Sequence, residues 1–251
     1  MKHRFLRQPV SVKLAGFFVV CLVLIGCMGT LPGPLLNGLA QGARAWLAIV
    51  LPAVAISLIV GVWLGMIAAQ VGGLGDRMIT RALELIGGFP TIVFVALVAS
   101  MTPDASFWLV VVTLSLIRIP ETVRLVRLQT VRYRSSEPYM AARAIGASPF
   151  RIFARHLIPA MAGNLGATAL TGVGVIVGVE AAMSFVGLST PYPGRSWGKD
   201  IGEAMAAGKI GAALCPALAL CMTMLALYRL AVGLRDAFNP NEGQGTDRAG
   251  G

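Results

Sequence analysis

Charge is what this sequence lacks most. Only 13% of its 251 residues are Asp, Glu, Lys or Arg, against about 25% in an ordinary soluble domain. A soluble fold of this size would have too little polar side chain to cover its surface. Acidic residues are the scarcer, 11 against 21 basic ones, which leaves a net charge of +10. Histidine occurs only as His3 and His156, and His3 reads as a tail residue. The four cysteines, Cys21, Cys27, Cys215 and Cys221, sit in apolar blocks and form no CxxC pair. They give no support to a zinc site or a disulfide framework and read as small packing residues. No Ser-His-Asp or paired-carboxylate arrangement has a spacing useful to an enzyme. No GxxxxGK[ST] motif occurs, so the chain does not bind ATP by that route. The basic balance does not point to nucleic acid either, because no basic segment lies outside the loops between apolar blocks.

What is abundant is apolar sequence in long runs. Hydrophobic residues make up 56% of the chain and the mean hydropathy is +0.76. Uncharged blocks run from Lys13 to Arg44 (broken by Leu31-Pro32-Gly33-Pro34), Arg44 to Asp76, Glu84 to Asp104, Arg155 to Glu180 and Lys209 to Arg229. A further segment after Asp104 is apolar at first and Arg-studded from Arg118. A helix crosses the hydrocarbon core with about 20 apolar residues. This predicts an all-α membrane protein with about six transmembrane helices, at 12–30, 45–69, 83–101, 106–128, 157–187 and 210–234. The first apolar run exceeds the roughly 7–15 residues of a signal-peptide core and is predicted to be a retained span.

With the N-terminus inside, 17 of the 21 Lys and Arg residues fall on cytoplasmic segments. Arg44, Arg195, Lys199 and Lys209 fall outside. The positive-inside rule therefore places both termini in the cytoplasm. The domain reading is an N-terminal tail, first span and short external loop at 1–44, a core at 45–238 with a cytoplasmic loop at 129–156, and a mobile polar tail at 239–251. Gly61 and Gly65, and Gly174 and Gly178, form GxxxG pairs that predict close helix contacts in the second and fifth spans.

The long loop carries the most information. It runs Glu137-Pro138-Tyr139-Met140-Ala141-Ala142-Arg143-Ala144-Ile145-Gly146-Ala147-Ser148-Pro149-Phe150 and on to Pro159. Pro138 and Pro149 suit helix first turns and Gly146 suits a helix end. The pattern predicts two short helices joined at a bend. Ala141, Ala142 and Ala144 make the first helix thin enough for a groove on a partner, with Met140 and Phe150 as anchors. An ordinary amphipathic surface helix would not explain so many alanines in a highly charged loop.

This loop resembles the "EAA" loop of binding-protein-dependent ABC importer permeases, in particular the C-type permeases of dipeptide, oligopeptide and nickel systems. Met140-Ala-Ala-Arg-Ala-Ile-Gly-Ala-Ser148 and Arg155-His-Leu-Ile-Pro159 are similar to the family's "EAARALGAS…RHILP". Glu180-Ala-Ala-Met-Ser-Phe-Val-Gly-Leu188 resembles "EASLSFLGL", Ser196-Trp197-Gly198 resembles "PSWG", and Gly233 to Pro240 resembles "GLRDALDP". Gly72-Gly73 with Asp76, and Phe89-Pro90, fit the start of the family's third span. The likeness covers roughly residues 45–240 in four ordered motifs. It implies a type I ABC importer permease of the bacterial inner membrane. It also implies that residues 137–153, with Glu137, Met140, Ala141, Ala142, Arg143, Gly146 and Phe150 foremost, form a coupling helix docked on an ATP-hydrolysing subunit. ATP and Mg would then reside on two partner ATPase subunits, with no cofactor or metal on this chain. A second permease subunit and an extracytoplasmic solute-binding protein would complete the assembly in the lipid membrane. The substrates implied are small peptides, nickel or a metal chelate. The sequence departs from the pattern in two places. Met140 stands where the family carries glutamate, so a carboxylate contact is lost or supplied by Glu137. The segment from Leu31 to Arg44 is too short for the family's external signature.

Three charges fall at membrane depth, where they are costly and face the bundle interior or water. Arg118 and Glu121, three apart, share a helix face. They either line a translocation path or pair near the interface. Glu180 lines a gate or serves structure. Trp197, in the external stretch Ser189 to Lys209, either belongs to the interfacial aromatic belt or contacts the receptor over the outer mouth. The rival readings are an ion-gradient-driven secondary transporter, which predicts half-chain repeats, and a non-transport membrane scaffold. No convincing repeat is found, and neither rival accounts for the loop.

Overall fold

The structure, a computed structural model, describes residues 10–27, 33–101, 107–188 and 195–238. The expected tail at 239–251, the first nine residues and the Pro191–Pro193 stretch lie outside the described residues. The described residues are helical, with no strand among them. In chain order the helices are α1 (Val10–Cys27), α2 (Pro34–Val71), α3 (Gly73–Gly87), α4 (Thr91–Met101), α5 (Phe107–Arg134), α6 (Glu137–Ala144) and α7 (Pro149–Ile152). A π-turn (Phe153–Leu157) and the short α8 (Ile158–Ala160) lead into α9 (Ala162–Phe185), α10 (Trp197–Ala206) and α11 (Ile210–Phe238).

Helices α1, α2, α9 and α11 are each long and apolar enough to cross a membrane, and α3 with α4 qualifies as a pair bent by 82°. The expected straight span at 83–101 is thus broken. The break falls at Gly88-Phe89-Pro90, where Pro90 disfavours helical geometry in the residue before it. Helix α5 has the length, 28 residues, but Arg118, Glu121, Arg124 and Arg127 make its second half too polar to qualify by composition. The six expected spans therefore take the form of four continuous apolar helices, one broken pair and the charge-bearing α5. Helix α2 starts at Pro34, beside Gly33 at φ +90°, and runs unbroken past residue 44 to Val71. Its 38 residues span about 57 Å at 1.5 Å per residue, well beyond the roughly 30 Å hydrocarbon core.

Lipid offers no hydrophobic drive for helix association, so small residues set the contacts. Gly61 and Gly65 lie against α5: a Cβ on Gly61 would stand 2.5 Å from Thr122 Cβ, and one on Gly65 2.8 Å from Val126 Cβ. The contacts advance together along both helices, so α2 and α5 run parallel. Along α9, Gly163, Gly166, Gly174 and Gly178 meet Phe238, Leu234, Leu227 and Met224 of α11 in reverse order, so these two run antiparallel. Both GxxxG pairs are thus at helix contacts. Gly16 of α1 lies beside Leu230, and Gly26 beside Leu47. The start of α1 and the end of α11 therefore lie at the same end of the bundle as the 137–160 loop.

The main core gathers Trp46, Ile49 and Val50 of α2, Val95 of α4, Val111 and Leu114 of α5, Ile176 and Val177 of α9, and Trp197. A second cluster at the loop end joins Met66, Val126, Phe153, Leu157 and Met161. Several buried hydroxyls return their proton to a carbonyl of their own helix: Ser115 Oγ donates to Val111 at 2.6 Å and Thr223 Oγ1 to Ala219 at 2.7 Å. That satisfies them without water, as a membrane interior requires.

Candidate functional site

The loop end of the bundle is built from short-range chemistry. Helix α6 has Ser136 at its N-cap and proline in its first turn. It ends where Gly146 takes φ +82°. The Ala147 N–H donates to the Ala142 carbonyl at 3.1 Å and Gly146 N–H to Arg143 at 3.0 Å. This double bond pattern is the left-handed glycine stop of a helix. Ser148 Oγ then accepts from the Arg151 N–H at 3.3 Å and caps α7. The two short helices and the bend expected from Pro138, Gly146 and Pro149 are all present.

Helix α6 has no buried residue. Met140 is 64% exposed, and Ile145, just past the helix, 86%. Glu137, Ala141 and Arg143 are exposed and Ala142 is partly so. Tyr139 meets Tyr133 edge to face at 6.2 Å and holds α6 to the end of α5. Phe150, expected as a partner anchor, stacks on Trp63 of α2 at 5.6 Å and 13° while remaining half exposed. One face of its ring thus belongs to the body of the protein. Ile145 is absent from the residues expected to meet a partner, although a large apolar residue before a helix-ending glycine is the signal for it.

At membrane depth the structure separates the expected residues into two places. Arg118 is buried, pairs with Glu121 and points at α9, where a Cβ on Gly172 would lie 3.3 Å from its Nε. Glu121 is half exposed, 51% of its side chain. Glu180 lies eight residues beyond Gly172, about 12 Å further along α9. It is 4% exposed and accepts from Ser184 Oγ at 2.8 Å. The Ser196 hydroxyl stands against the same carboxylate. Glu180 thus meets the N-cap residue of α10 rather than the Arg118–Glu121 pair.

Trp197, expected in the interfacial belt or at a receptor contact, lies inside the fold. It is 3% exposed, and its indole fills a notch at Gly42 of α2 that a Cβ would close. A tryptophan in a polar stretch is drawn inward here because α10 sits directly on α9 backbone. Gly198 meets the carbonyl of Ala181, and a Cβ on Gly202 would lie 2.7 Å from that of Phe185. The opposite side of α10 is polar. Asp200 and Glu203, with Arg195, Lys209, Gly38 and Pro216, line a cleft of about 470 Å³. Arg195 Nε donates to Asp200 Oδ1 at 2.7 Å at its edge. Among the described residues no group of three or more His, Cys, Asp or Glu gathers to hold a metal ion.

A third feature escaped the sequence reading. Arg127 of α5 grips Asp76 of α3 through two bonds, Nε to Oδ1 and Nη2 to Oδ2, each 2.5 Å. Arg134 Nη1 donates to the Ala69 carbonyl at 2.6 Å. The partners are 51 and 65 residues apart in sequence, so no local pattern announces them.

Residues 61–242 match the family described as "Binding-protein-dependent transport system inner membrane component". The glutathione transport system permease protein GsiD of Escherichia coli is 33% identical over 95% of this chain and 88% of its own length. The oligopeptide transport system permease protein OppC of Haemophilus influenzae is 31% identical over 81% of this chain and 66% of its own. A putative peptide permease of Brucella ovis is 30% identical over 80% of this chain and 67% of its own. With a match across most of the bundle, including the exposed loop, this chain belongs to the binding-protein-dependent transport system inner membrane components and is a multi-pass permease subunit, not itself an enzyme.

Proposed function

We propose that this chain is a translocating subunit of an ATP-driven importer for small peptides or glutathione, worked by a separate ATPase that docks on α6. The observation that carries this reading is the exposure of α6. A helix with no buried residue, ending in Ile145 at 86% exposure, leaves apolar surface in water unless a partner covers it. Full burial of a side chain of that size stabilises a complex by about 1.5–3 kcal/mol. Helices α5 and α9 flank the loop and would carry its displacement into the bundle. ATP and Mg would bind the partner ATPases. A second permease subunit would complete the membrane part, and an extracytoplasmic binding protein would deliver substrate at the α10 end. The loop and both termini would face the cytoplasm, in keeping with the distribution of Arg and Lys.

Peptide or glutathione is the favoured substrate class because the relatives named above transport oligopeptide and glutathione. The gripping residues for Arg118, Glu121 and Glu180 are internal to the chain, so these three would shape the path rather than select the cargo. A tagged chain purified in gentle detergent should bring down an ATPase and a second permease in comparable amounts. A chain that emerges alone would overturn the coupling reading. Uptake by cells that carry the chain, compared with cells that lack it, then sorts peptide and glutathione from nickel or a metal chelate.

A further inference from the structure

The joint between α2 and α3 is held from outside as well as from within. Gly72 and Gly73 link the two helices with φ of +62° and +53°, and a Cβ on either would meet nothing within 4 Å. Left-handed glycines in open space give a joint with no strong conformational preference of its own, closed locally by the Gly72 N–H to Ala68 carbonyl bond (3.2 Å), the Asp76 N–H to Gly72 carbonyl bond (3.1 Å) and Val71 lying over Gly75. Both sides of it are nevertheless fixed, and both by α5. On the α2 side, Arg134 bonds the Ala69 carbonyl at 2.6 Å, one of the four carbonyls that a helix end leaves without an internal partner. On the α3 side, Arg127 holds Asp76 by two parallel bonds of 2.5 Å. A bidentate arginine–carboxylate pair fixes orientation as well as distance. The pair is mostly shielded, with side-chain exposures of 32% and 16%.

The two arginines are seven residues apart, two helical turns on one face of α5. Arg134 is also the last residue of α5, and α6 begins three residues later at Glu137. One helix therefore carries the docking loop at its tip and the α2–α3 joint on its side. Beyond the joint, Leu83 of α3 packs on Ile119 and Val123 of α5. Then comes the 82° break into α4, whose Val95 enters the main core.

We infer that the Asp76–Arg127 clamp, with Arg134 beside it, makes the α2–α3 joint travel with α5, so that movement of α6 reaches the broken α3–α4 pair. Asp76 and Arg127 are positioning residues. The role in transmission rests on the docking of an ATPase at α6, whereas the clamp itself does not.

Two measurements separate these. Hydrogen exchange of the purified full chain reads the clamp alone. In Arg127→Gln the amides of residues 72–80 should exchange at least tenfold faster, with those of 170–177 in α9 unchanged. Equal exchange at 72–80 in both proteins would overturn the clamp. The reconstituted importer, with its ATPases and binding protein, reads transmission as substrate moved per ATP consumed. Asp76→Arg and Arg127→Asp should each lower that ratio at least fivefold, and the exchanged pair should recover more than half of it. Undiminished single variants, or an exchanged pair without recovery, would overturn the transmission role. A wild-type chain that recruits no ATPase would instead refute the docking reading and leave the exchange result to judge the clamp.

Discussion

Gly146 shows how one residue can decide the shape of the loop. Its φ of +82° is a conformation in which a side chain is strained by roughly 1–3 kcal/mol. Asn and Asp tolerate it best among the other residues. If the bend matters through backbone geometry, substitutions should rank by that tolerance. Gly146→Asp should uncouple ATP hydrolysis from uptake with membrane insertion intact, and Gly146→Val should do so more severely. Uptake assays on the two variants beside ATPase rates test the order, and unchanged uptake in both would remove the bend from the mechanism. Trp197 teaches the opposite lesson at the same scale. Its sequence context is polar, yet its environment is set by Gly42, a residue 155 positions away. Burial of this kind cannot be read from neighbours in the chain. Met140 stands 64% exposed and presents an apolar side chain on the open face of α6.

At the scale of elements, the sequence was most legible where a rule of local chemistry governs. Pro138, Gly146 and Pro149 marked the starts and the stop of α6 and α7 because prolines lack a donor and glycine alone relaxes at positive φ. The GxxxG pairs marked helix contacts for a comparable reason, since only a missing side chain lets backbones approach. The contact of Gly65 gives the sharpest prediction here. A Cβ there would stand 2.8 Å from Val126 Cβ and 2.9 Å from the Val123 carbonyl, and neither a β-branched side chain nor backbone has room to yield. Gly65→Leu should destabilise the α2–α5 contact by at least about 2 kcal/mol, within the range for overpacked cores. A lowered midpoint in detergent unfolding checks it. The break between α3 and α4 was less legible. An apolar run containing Gly and Pro is compatible with a straight, kinked or broken span, and packing of Leu83 and Val95 on different neighbours selects the last. The Asp76–Arg127 pair was not legible at all, because its two halves lie on different helices.

The whole molecule has two chemically distinct ends. One carries the exposed loop, the arginines of α5 and the ends of α1 and α11. The other carries α10 and its cleft of mixed charge. This arrangement predicts a definite orientation in the cell. In a chain with its four cysteines replaced by serine, Met140→Cys should react with a membrane-impermeant thiol reagent only from the cytoplasmic side. Glu203→Cys should react only from the outside. The reverse pattern would invert the topology proposed from the basic residues. The attachment of α10 bears on what that end of the bundle can do. Gly198 and Gly202 seat it on the carbonyls of Ala181 and Phe185 with no layer of side chains between, and Trp197 locks it against α2. In the language of machinery this is a joint without backlash. No side-chain rotamers stand between the two helices at these glycines, so α10 and α9 are expected to move together.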